Sequence, residues 1–167
     1  SLENLRSALA GMLGNNDSIT FLNSDATLTG EFTLAGGFAL TLDNGAAGAP
    51  LTIIANAGST TRFLNAAGTA TITWGSGLTF SGFNAGALNS GGAVFVGGDL
   101  TGGIVNSTFT SNTAGFSGGA VHVNGDLTGG ISGSTFSSNS ADRRGGALYL
   151  GGNVDISGAD ARFTNNT

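Results

Sequence analysis

Cysteine and lysine are both missing from the 167 residues, and proline occurs once, at Pro50. Without thiols there is neither a disulfide framework nor a thiolate metal site. Five arginines stand against ten scattered carboxylates for a net charge of −5. No basic stripe exists to displace counterions along a phosphate backbone, so nucleic acid is not an expected partner. Charged residues make up only 9% of the chain. Even so, no apolar run approaches the roughly 20 residues that span a bilayer, so this segment is not expected to insert in a membrane. The opening residues also lack the basic start, apolar stretch and small-residue cleavage site of a signal peptide.

What is abundant is glycine, at 31 residues, in a chain that is 40% hydrophobic. That hydrophobic share is too high for a disordered linker, and no Gly-X-Y period points to collagen. Frequent turns between short apolar runs account for both features. The runs repeat. Gly91-Gly92-Ala93-Val94, Gly118-Gly119-Ala120-Val121 and Gly145-Gly146-Ala147-Leu148 recur 27 residues apart, as do Phe109-Thr-Ser-Asn112, Phe136-Ser-Ser-Asn139 and Phe163-Thr-Asn-Asn166. Segment 91–117 matches 118–144 at 18 of 27 positions. A glycine-punctuated unit of this length is too short for a helix pair and reads as one coil of three strands and three turns. The fold class expected is all-β, a right-handed parallel β-helix. The hand follows from the near-universal hand of parallel crossovers and from coils longer than those of left-handed hexapeptide solenoids.

Stacked coils turn the repeat into columns about 4.8 Å apart along the axis. Phe109, Phe136 and Phe163 are expected to form an internal aromatic stack, and Asn112, Asn139 and Asn166 an amide ladder. Val94, Val121 and Leu148 with Val96, Val123 and Leu150 form an inner wall at strand period two, and Leu100, Leu127 and Val154 another. Asp99, Asp126 and Asn153 make a polar column, either solvated or accepting backbone N–H groups as turn formers. Each coil should run through a strand 93–96, a second through Leu100 and Ile104, and a third over 107–111.

Three regions follow. Residues 91–167 carry the regular repeats, and because the pattern runs unbroken to Thr167 the native protein is expected to continue beyond it. Residues 15–90 read as irregular coils, with alternations such as Phe32 and Leu34, Leu51 and Ile53, and Ile72 and Trp74. Residues 1–14 read as an amphipathic capping helix, since Leu2, Leu5, Leu9, Met12 and Leu13 fall near one helical face, with Ser1 as N-cap and Gly14 as stop.

The pairing of Gly-Gly-Ala-(Val/Leu) with Phe-x-x-Asn over 91–167 resembles the repeat of the chlamydial-type polymorphic outer membrane proteins and of related autotransporter passengers and adhesins. The resemblance implies a secreted or bacterial cell-surface passenger, often adhesive and displayed through an outer-membrane barrel. Its motifs are structural, so they imply the fold and not a binding partner.

Chemistry offers few candidates. Phe95, His122 and Tyr149 share one column on the face opposite Val94 and Val96. As an outward ridge they could stack on sugar rings or dock a host protein, and otherwise they pack under a turn. No His, Asp or Cys set accompanies His122, so no metal is expected, and no motif calls for a cofactor. Asp142, Arg143, Arg144, Asp155, Asp160 and Arg162 form the best cluster for a carbohydrate-active β-helix enzyme, the alternative reading. They crowd into one coil, so exposed corner charges explain them more simply and no enzyme is expected. Thr69, Thr71 and Thr73 suggest an ice-binding array that does not repeat from coil to coil. Adhesion to a host protein or glycan, or self-association through the edge of the last coil, is the function expected.

Overall fold

Apolar residues at alternate positions, separated by glycine turns, form short strands whose inward side chains meet in one core. The computed structural model describes residues 12–21, 26–44, 50–155 and 160–167. Over these the chain winds as a parallel β-solenoid, and every strand pair is parallel. The first face is a six-stranded sheet of Met12–Leu13, Phe32–Leu34, Leu64–Ala66, Val94–Val96, Val121–Val123 and Leu148–Leu150. The second holds Asp17–Thr20, Phe38–Asp43, Ala70–Trp74 and Leu100–Thr101, continued by single bridges from Leu100 to Leu127 and from Leu127 to Val154. The third is again six-stranded: Ala26–Leu28, Leu51–Ala55, Leu78–Ser81, Ser107–Thr110, Thr135–Ser137 and Arg162–Thr164.

Inward positions are mostly apolar, with Ile53, Leu64, Ile72, Phe80, Val94, Phe109, Val121 and Phe136 fully enclosed. Phe80, Phe109, Phe136 and Phe163 stack at centroid spacings of 5.0, 5.1 and 4.8 Å, with interplanar angles of 17°, 8° and 3°. Parallel in-register coils impose this geometry, because each ring stands one rung above the next. Phe80 extends the expected stack by one coil. Trp74 meets Phe80 and Phe109 edge-on from the second face and donates its indole N–H to Gly103 O at 2.8 Å.

The amide ladder is present. Asn112 Nδ2 donates to Asn139 Oδ1 and Asn139 Nδ2 to Asn166 Oδ1, both at 3.0 Å, and the same nitrogens reach Phe80 O and Phe109 O. The aspartate column takes the second of its two expected forms. Asp99 Oδ1 accepts the Asp126 N–H at 2.8 Å and Asp126 Oδ1 accepts the Asn153 N–H at 2.6 Å. Each carboxylate thus fastens the next coil.

Two expectations change. The capping helix lies mostly outside the described residues, but Met12 and Leu13, at its end, form a strand in register with Thr33 and Leu34. Among the described residues there is no helix. The second strand of each coil, expected to run through Leu100 and Ile104, breaks at Gly102 and Gly103, whose φ values of 93° and 71° lie where side chains are disfavoured. Threonines meet in isolated pairs, while the three-threonine array itself does not repeat from coil to coil, since Thr71 faces Ala39 on its other side. Thr41 pairs with Thr73 and Thr71 with Thr101, and the last two share a hydrogen bond at 2.6 Å. Coils of unequal length hide this register, since 27 residues separate Val94 from Val121, 30 separate Leu64 from Val94, and 32 separate Phe32 from Leu64.

The corners contribute to the unequal lengths. Between the first and second faces the corner always has three residues: 14–16, 35–37, 67–69, 97–99, 124–126 and 151–153, the last two ending at bridge residues. A glycine column runs through it, because a Cβ on Gly68 would lie 3.0 Å from Gly36 Cα, and one on Gly152 would lie 2.8 Å from the Gly125 carbonyl carbon. Between the third and first faces the corner grows from three residues (29–31) to eight (56–63) and twelve (82–93), then settles at ten (111–120 and 138–147).

Candidate functional site: a stepped corner

A short corner beside longer ones leaves a recess. Where 29–31 and 56–63 meet the twelve-residue corner 82–93, a groove of about 670 Å³ opens, lined by Thr29, Glu31, Thr60, Arg62, Asn65 and Asn89 among others. That volume lies within the range of small-molecule sites. Gly86 lets the longest corner close on the second, since a Cβ there would lie 2.6 Å from Thr60 Cγ2.

Arg62 organises the wall. Its Nε donates to Ser90 O at 3.0 Å, its Nη1 lies 3.6 Å from Glu31 Oε2, and its guanidinium carbon sits 5.2 Å over the Phe95 ring. The side chain is only 11% exposed. Desolvation by burial pulls its pKa below the ordinary arginine value, and the neighbouring Glu31 charge opposes that pull. Asn65, on the first face, donates through Nδ2 to Glu31 Oε1 at 3.0 Å. Glu31, itself 31% exposed, is therefore held on both oxygens while facing the groove.

Below Arg62 runs the aromatic column expected from sequence. Phe95, His122 and Tyr149 pair in register, with Phe95 opposite the inward Val94 and Val96. The rings stack nearly parallel, 5.3 Å and 4.7 Å apart, at 18° and 15°. Only 5% of His122 is exposed, while Phe95 and Tyr149 are half-buried. Rings stacked along the axis cover one another's faces and turn their edges outward, and Arg62 covers the outer face of Phe95. Sugar stacking needs an open ring face, which Phe95 and His122 lack. His122 Nε2 is tied to Asn124 Oδ1 at 2.7 Å.

The acidic and basic residues of the last coil are spread around it. Asp142, Arg143 and Arg144 follow the strand Ser140–Ala141, Asp155 follows the Val154 bridge on the second face, and Arg162 begins a strand on the third. Asp160 lies just ahead of that strand, at φ 79°. Arg143 sits 4.8 Å over the ring of Phe116, one coil away. Among the described residues no group of three or more His, Asp or Glu is placed to hold a metal ion. No helix there is long and apolar enough to cross a membrane.

Sequence reasoning did not single out Glu31, Arg62, Asn65 or Asn89. The signal was thin but present, because an arginine next to Phe63 is conspicuous where charge is so scarce. Compared with family models, with curated proteins and with solved structures, the chain matches none.

Proposed function

We propose that the chain is a non-enzymatic, right-handed β-solenoid passenger at a bacterial surface or in secreted form, and that it makes adhesive contact through the stepped corner. One observation carries this reading: the regular faces end in hydrogen-bonded ladders, whereas the corner between the third and first faces changes length and opens a polar recess. Exposed side chains continue the surface beside it, with Leu88 at 85% exposure and Phe116 at 40%. Large apolar side chains left in water at one corner mark a place of contact. Repeats similar to those of surface passengers supply the cellular setting, and the distribution of the Asp and Arg residues around the last coil favours a scaffold over a catalyst.

The test is attachment of fluorescently labelled chain to cultured epithelial cell layers. Wild type is expected to bind saturably. Leu88→Ser with Phe116→Ser should reduce the bound amount several-fold at unchanged circular dichroism. Equal binding by the variant, or release of reducing sugar from the cell layer, would remove the proposal.

A further inference from the structure

We infer that the stepped groove receives a neutral, hydroxyl-rich ligand, a short stretch of uncharged glycan, with the Glu31 carboxylate as its main acceptor. This rests on the adhesive reading and names the chemistry of its contact. The groove's two charges, Glu31 and Arg62, cancel. Arg62 is already engaged at Nε, at Nη1 and across its flat face, so it has no free fork for a phosphate, sulfate or carboxylate. An anion would have to displace Glu31 and leave a desolvated ion pair broken, which is costly. Anionic ligands are disfavoured on that ground, and no second basic residue lines the groove.

Glu31 has capacity left. A carboxylate offers about four lone-pair directions, and Glu31 accepts from Asn65 Nδ2 on one oxygen while Arg62 Nη1 stands 3.6 Å from the other. Two neighbouring hydroxyls of a sugar ring can donate to its remaining directions as a pair. Thr29 and Thr60, both exposed, can each donate and accept, and Asn89, whose Nδ2 is committed to Ala85 O at 2.9 Å, presents its carbonyl oxygen as an acceptor. Polyols match such an alternation of donors and acceptors. A peptide finds little there, because the apolar part of the lining is Ala85 and a glycine, with no pocket for a large side chain.

The experiment is an amide-shift titration of the ¹⁵N-labelled chain with cellotriose, maltotriose and mannotriose, and with trigalacturonate as the charged comparator. At least one neutral trisaccharide should shift residues 29–31, 60–65 and 89 at millimolar concentration, and trigalacturonate should not. Glu31→Gln should weaken binding about ten-fold. Thr60→Val, which leaves the ion pair in place, should weaken it by a smaller factor with the fold intact. Shifts confined to other residues, no shift with any neutral sugar, or preference for trigalacturonate would each overturn the inference. A parallel attachment assay on periodate-treated cell layers separates the two ideas. Attachment that survives loss of vicinal diols sinks the glycan inference and leaves the adhesive reading, while sugar-induced shifts without attachment do the reverse.

Discussion

Asn139 does more than its size suggests. It is fully buried, donates through Nδ2 to Phe109 O and Asn166 Oδ1, and accepts through Oδ1 from both the backbone N–H and Nδ2 of Asn112. Asn139→Ala would strip partners from three buried polar atoms, at about 1–3 kcal/mol each when left unpaired. The expected loss is about 3 kcal/mol, which for a chain of this size lowers Tm by about 10 °C in a thermal melt. Asn139→Asp should do no better, because a carboxylate has no hydrogen to give Phe109 O. An unchanged Tm in both variants would mean that water replaces the ladder. The residue before each ladder asparagine lies in the left-handed region, at Ser111, Ser138 and Asn165, with φ of 56°, 55° and 53°. In the preceding coil the equivalent position is Gly82, at φ 71°. The tight bend that aims the amide inward thus recurs even where glycine has been replaced.

Among the elements, the two kinds of corner behave oppositely. The three-residue corner between the first and second faces is pinned by the glycine column and by the aspartates that bind the next coil. The corner between the third and first faces already varies from three to twelve residues. A Gly-Ser insertion between Leu88 and Asn89 should therefore shift Tm by no more than a few degrees. The same insertion between Gly98 and Asp99 should abolish cooperative unfolding, since it parts Asp99 from the Asp126 N–H and breaks the contacts of Gly98. Circular dichroism melts distinguish the two, and equal damage from both would refute the contrast.

The same contrast explains what could be read from sequence. From residue 91 onward every corner keeps its length, so columns such as Phe109–Phe136–Phe163 and Phe95–His122–Tyr149 follow from a spacing of 27. Earlier, Leu64 meets Val94 and Phe32 meets Leu64 at spacings of 30 and 32, which no fixed period reveals. Glu31, Arg62, Asn65 and Asn89 meet only because corners of different length are laid side by side. Burial was the other hidden quantity. Strand alternation placed His122 outward correctly, but it could not tell that neighbouring rings and the Ser117–Gly118 turn would enclose it.

At the scale of the whole molecule, each strand of a face bonds only to the rungs beside it, so stability is close to a sum of coil and interface contributions. Those ladders run along the axis. A load between the two ends meets the rungs in series, opening them like a zip and not shearing them together. Each 27-residue coil would let out about 90 Å of contour, and the 30- and 32-residue coils about 100 and 110 Å. Single-molecule stretching should show a sawtooth with those unequal steps, and one abrupt rupture of the full length would contradict it. The uneven coils would thus make the solenoid a graded shock absorber, yielding in stages so that, in the adhesive role proposed above, no sudden peak of tension would reach its contact.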